Sequence, residues 1–149
     1  MAALGETRME VYSWNQNGKL YLWRYEGNLK NYPSWQLTGD QKGLQPLIEL
    51  LSLMINENRN VKRTVELPQP GKTELEISGC KSKAVPELKF MLHFEVEEVE
   101  DWKVKPFRDS MDIVVNPYAA KGFSESLLQL EKGCNDFSFG YGENQIWFW

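Results

Sequence analysis

The chain has 149 residues, 42% of them apolar and 26% charged, with a formal net charge of −4. Those values fit one compact globular domain and exclude collagen, coiled coil and wholesale disorder. No apolar run approaches the ~20 residues of a membrane span, and the first eight residues lack the apolar stretch of a signal peptide. Residues 1–8 therefore read as a loose polar tail, and 9–149 as a single α+β domain.

The strongest local pattern comes first. Met9 to Asn15 and Lys19 to Tyr25 both alternate, and Asn17-Gly18 lies between them. Asn-Gly is the preferred pair for a type I′ turn, because both positions need positive φ. The spacing predicts a hairpin in which Trp14 faces Tyr21, Tyr12 faces Trp23 and Glu10 faces Tyr25. Ser13 with Leu22 and Val11 with Arg24 occupy its other face. Residues 26–43, rich in Gly, Asn, Pro and Thr and carrying Tyr32 and Trp35, read as a linker.

A helix is expected over roughly 43–57. Leu44, Leu47, Ile48, Leu51, Met54 and Ile55 fall on one helical face, widened by Leu50 and Leu53. Pro46 is expected in the first turn, where a missing N–H is harmless. Strands follow around Val61 to Leu67 and around Leu75 and Ile77, with a loop over Gly79 to Pro86. Glu87 to Val96 gives a strong strand with Phe90, Leu92, Phe94 and Val96 on one face. Trp102 to Lys105 and Met111 to Val115 continue the strand run, and Asn116-Pro117 stops it.

A second helix is expected at about 124–132. Ser124 serves as its N-cap, Phe123 and Leu128 as a hydrophobic staple, and Gly133 as the C′ glycine. Phe137-Ser138-Phe139 and Ile146 to Trp149 then form a last hairpin. The expected order is β-β-α-β-β-β-β-β-α-β-β. Short links favour a mostly antiparallel sheet with two helices packed on it.

Charge and cysteine usage narrow the function. A negative net charge argues against nonspecific nucleic-acid binding, which needs a basic surface, and suits a basic protein partner. Cys80 and Cys134 lie 54 positions apart with no CxxC. They read as reduced thiols of a cytoplasmic protein. Together with the single His93 they do not make a zinc site, which wants four ligands. No cofactor, metal or catalytic set is expected. Gly140-Tyr141-Gly142 lacks the strand-to-helix context and Lys-Ser/Thr of a phosphate loop. His93 alternates with Leu92 and Phe94, on the polar side of its strand, and nothing brings it to a thiol.

Two surfaces remain as candidates. Glu95, Glu97, Glu98, Glu100 and Asp101 place five carboxylates within seven residues. Such a segment can steer a basic partner, and Lys103 and Lys105 are expected to lie across from Glu95 and Glu97. It lacks the tight-turn glycine of a calcium loop. The alternative is an aromatic ligand surface drawn from Tyr12, Trp23, Trp35, Trp147 and Trp149, able to stack on a sugar or a small ligand. The competing reading of those rings is ordinary core.

The β/α/β organisation of this acidic, Trp-rich chain resembles, in a general architectural way, small bacterial immunity proteins. The missing catalytic set, the negative charge and the Glu95–Asp101 run point to a non-enzymatic protein-binding domain with a basic partner, and the resemblance implies that the partner is a protein it neutralises. No residue motif carries the resemblance.

Overall fold

The computed structural model describes residues 10–26, 35–98, 102–107, 110–141 and 144–149. The expected tail over 1–8, together with Tyr32, Glu100 and Asp101, lies outside the described residues. After a 3-10 turn at Val11–Ser13 come β1 (Leu20–Tyr25), β2 (Trp35–Gly39), α1 (Gln41–Glu57), β3 (Val61–Glu66) and a short α2 (Lys72–Leu75). They are followed by β4 (Ala84–Glu87), β5 (Lys89–Phe94), β6 (Trp102–Phe107), β7 (Ser110–Val115), α3 (Pro117–Glu131), β8 (Phe137–Tyr141) and β9 (Asn144–Phe148).

The strands build two sheets, ordered β4-β1-β2-β9-β8 and β3-β5-β7-β6. The β2–β9 and β5–β7 ladders are parallel and the other five antiparallel. The α+β class thus stands, with the expected single sheet divided in two. One buried cluster joins both sheets and both long helices. Leu20, Leu22, Trp35, Leu37, Ile146 and Phe148 enter it from the first sheet. Phe90, Leu92, Phe94, Met111, Ile113 and Val115 enter from the second.

Helix α1 is capped by Asp40, whose carboxylate accepts from the Gly43 N–H at 2.7 Å and also from the Lys19 N–H at 2.9 Å. Its buried face is Leu44, Leu47, Leu50, Leu51 and Met54. Ile48, Leu53 and Ile55 are half-buried at the margins. Because the helix starts at Gln41, Pro46 falls in the second turn rather than the first. Its carbonyl accepts the Trp14 indole N–H at 2.6 Å. Leu51 is fully buried. Leu51→Ala is therefore expected to cost about 2–5 kcal/mol, read as a lowered denaturant midpoint.

The N-terminal hairpin does not form. Residues Val11–Ser13 make a 3-10 turn, and Tyr21 pairs with Thr38 of β2 instead of Trp14. Tertiary contacts override the alternation. The Arg63 guanidinium lies 5.3 Å from the Trp14 ring centre and donates to the Trp14 carbonyl at 3.1 Å. Gln16 caps the edge of β3 by exchanging both amide hydrogen bonds with the Glu66 backbone, at 2.6 and 2.9 Å. Gly18 keeps the positive φ that the Asn-Gly pair signalled, at +65°. There it serves a close backbone crossing against the start of α1.

Other boundaries also moved. The expected linker over 26–43 contains β2, and the loop after Gly79 contains β4. The strand expected at Leu75 and Ile77 is instead the short helix α2 and the turn after it. Asn116-Pro117 starts α3 rather than merely ending a strand. Asn116 is the N-cap, accepting from the Ala119 N–H at 2.7 Å, and Pro117 holds the first position. Ser124 and Phe123 then lie inside the helix, both buried. Gly133 follows the helix at φ +97°, and the final β8–β9 hairpin forms as the sequence indicates. Both cysteines are free thiols.

Candidate protein-interaction site

The acidic segment is the connection leaving β5. Its described part, Glu95 to Glu98, is fastened by its backbone. The Glu95 N–H donates to the Val115 carbonyl at 2.9 Å, and the Val96 N–H to the Asn60 side-chain oxygen at 2.8 Å. The Asn116 amide donates to the Glu98 carbonyl at 3.3 Å. Glu97 is exposed, and Glu95 and Glu98 are half-buried. Lys103 reaches the Glu98 carboxylate at 3.3 Å, so one carboxylate of the run is partly neutralised. The pairing expected for the lysines is not the one found. Since β6 pairs with β7, Lys103 lies opposite Val114 and Lys105 opposite Asp112.

Asn60 connects this turn to a second feature. Beside it, Arg59 donates to the Tyr12 hydroxyl at 2.6 Å, and its guanidinium lies 5.1 Å from the centre of the same ring. Glu57 holds Arg59 through one carboxylate oxygen, at 3.1 Å to Nε and 2.8 Å to a terminal nitrogen. The other Glu57 oxygen accepts the Val11 N–H at 2.6 Å. Tyr12 is nonetheless 60% exposed. An outward-facing ring is thus fixed in place by a two-sided polar clamp. The order β3–β5 puts the clamp and the carboxylate turn at one end of the second sheet, with Val61 opposite Phe94.

The clamp depends on charge. Burial raises the Glu57 pKa, but hydrogen bonds from Arg59 and the Val11 N–H, with the Arg59 charge, outweigh it and set the net shift downward. The Tyr12 and Glu57 hydrogen bonds raise that of Arg59. A carboxyl whose folded pKa lies below its unfolded value contributes stability above the unfolded pKa and loses it as pH falls through the folded one. Acidification below the ordinary carboxylate range is therefore expected to release Tyr12. Tyrosine ring resonances followed by NMR from neutral pH downward check this, with Glu57→Gln showing the released state already at neutral pH.

The aromatic set is divided by the fold. Trp35 is buried in the main core. Trp23 is fully buried on the opposite face of the first sheet, packed edge-on against Tyr25 at 6.4 Å. Trp147 and Trp149 are half-buried on that same outer face, where the Trp149 indole donates to Gln36 at 2.8 Å. Of the five rings, Tyr12 alone stands well out in water. Burial thus corrects the expectation that Trp23 and Trp35 join an exposed ligand surface. Arg59 is the residue of this candidate site that the sequence reading missed. Its importance depends on Tyr12 arriving from 47 positions away, and no local spacing signals that.

Chemistry-bearing side chains elsewhere remain apart. His93 lies 3.3 Å from Asp112 across the second sheet, while Cys80 follows α2 and Cys134 follows α3. Among the described residues no group of three His, Cys, Asp or Glu side chains could hold a metal ion. Among them also, no helix is long and apolar enough to cross a membrane. Comparison of the chain with protein-family models, curated proteins and solved structures finds no match.

Proposed function

We propose that the protein is a non-enzymatic binding domain whose partner is a basic protein, held in the cytoplasm where both thiols stay reduced. The observation that carries this reading is the Tyr12–Arg59–Glu57 clamp beside the Glu95–Glu98 turn. Tyr and Arg are, with Trp, the residues enriched among energetic anchors at interfaces. An anchor already fixed before encounter loses little rotamer freedom on binding. The neighbouring carboxylates supply the long-range attraction that brings a cationic surface to that anchor.

The two parts of the site are expected to fail differently. The immobilised protein is exposed to an extract of its source cells, and a retained, purified protein is then measured by binding kinetics. Tyr12→Ala should weaken binding by about 2 kcal/mol, mostly through faster dissociation. Glu97→Lys should slow association several-fold at low salt and lose that effect at high salt. A retained protein whose kinetics ignore both substitutions would remove this end of the molecule from the function.

A further inference from the structure

Between β3 and β4 the chain leaves the main body as a strap. It carries α2, a turn through Ser78 and Gly79, and a run to Lys83. Polar groups of β1 and the residue after it latch the strap, Tyr21 among them through a side-chain hydrogen bond with Glu74. The Tyr25 hydroxyl donates to the Leu75 carbonyl at 3.0 Å and shares a hydrogen bond with the Ser78 hydroxyl at 2.7 Å. The Glu26 N–H donates to the Lys83 carbonyl at 2.8 Å. Against the strap, and reaching Ala84 at the start of the edge strand β4, lies an open pocket of about 730 Å³, within the usual size range of small-molecule sites. Its lining residues include the half-buried Leu75, Cys80 and Ala84 and the exposed Lys72, Lys81 and Glu76. Among the described residues neither lysine is in an ion pair.

We propose that this cavity binds a small organic anion: one negatively charged group on an apolar body. Two lysines against one glutamate leave the lining cationic, on a protein that is acidic overall. Cationic lining of that kind selects an anion, and the leucine and alanine of the lining select the body that carries it. The site is distinct from the Tyr12 end, which is built on the 3-10 turn and the residues after α1. Tyr25 acts as a positioning residue, since its hydroxyl holds the strap without lining the cavity.

The test is an amide NMR titration of the whole chain with benzoate, phenyl phosphate and neutral benzyl alcohol. Saturable shifts over residues 72–84 are expected with at least one anion. The tighter of the two tells a carboxylate site from a phosphate one. Lys72→Ala and Lys81→Ala should each weaken that binding about threefold to tenfold. Tyr25→Phe should weaken it while the remaining spectrum stays folded. Independently, in a Cys134→Ser background, the bound anion should slow iodoacetamide labelling of Cys80. No saturable shift with either anion, equal binding of benzyl alcohol, or affinity indifferent to both lysine substitutions would overturn the proposal.

Discussion

Gly43→Ala is expected to be among the most damaging single-methyl additions this fold can receive. A Cβ at that position would sit 2.4 Å from the Lys19 carbonyl oxygen, 2.6 Å from its carbon and 2.7 Å from its nitrogen. The obstacle is the Lys19 backbone rather than the end of a flexible side chain, so it cannot swing aside. The chain on the other side of the crossing is equally tight. A Cβ on Gly18 would lie 2.2 Å from both the Gly43 nitrogen and the Lys42 carbonyl carbon. Overpacking in a yielding core costs about 1–3 kcal/mol, and here the surroundings cannot yield. A loss above about 3 kcal/mol is expected for either substitution. For Gly18→Ala, the left-handed conformation at φ +65° adds about 1–2 kcal/mol. With a urea dependence of about 1–3 kcal/mol per molar, the unfolding midpoint should fall by at least about 1 M. A fall of a few tenths would show that the crossing can open at little cost.

That crossing also marks where sequence reasoning stopped. The Asn17-Gly18 signal correctly announced a left-handed backbone, and the same signal is what a hairpin would give. What selects between the two lies far along the chain. The Pro46 carbonyl waits for the Trp14 indole, Arg63 for the Trp14 ring, and the start of α1 for Gly18. Alternation around the turn said nothing about any of them. Elements with their own periodicity were legible. The leucine face of α1 and the closing β8–β9 hairpin stand as read, and the phenylalanine face stands over the shorter β5, Lys89–Phe94, with Glu87 in β4 and Val96 beyond the strand. Short elements were not. β2 is five residues, and its Gln36 is fully buried yet satisfied by the Trp149 indole from 113 positions away. The carboxylate run was legible as composition, but its usable charge was not. The pairing of Glu98 with Lys103 follows from the path of the connection, and only Glu97 of its described carboxylates is left exposed.

The start of α3 gives the other large effect, and it separates two readings of the same residues. If the helix began at Ser124, Phe123 would be a staple outside it, and its truncation would cost about as much as a surface contact. In the structure Phe123 is fully buried within the helix. Its ring centre lies 5.4 Å from that of Trp102 on one sheet and 6.2 Å from that of Phe148 on the other. Deleting it would open a void where both sheets and α3 meet, because the rigid Trp102 and Phe148 rings can collapse only partly into the space. Phe123→Ala is accordingly expected to cost about 3–5 kcal/mol. The cap gives the companion measurement. Asn116→Ala should cost about 0.5–2 kcal/mol, since the Ala119 N–H loses its acceptor. Tyr118→Ala, on the outer side of the same first turn at 85% exposure, should stay within about 0.5 kcal/mol. Denaturant midpoints for the three variants decide the matter. A small effect at Phe123 with a large one at Tyr118 would place the helix face the other way round and move the junction of the two sheets elsewhere.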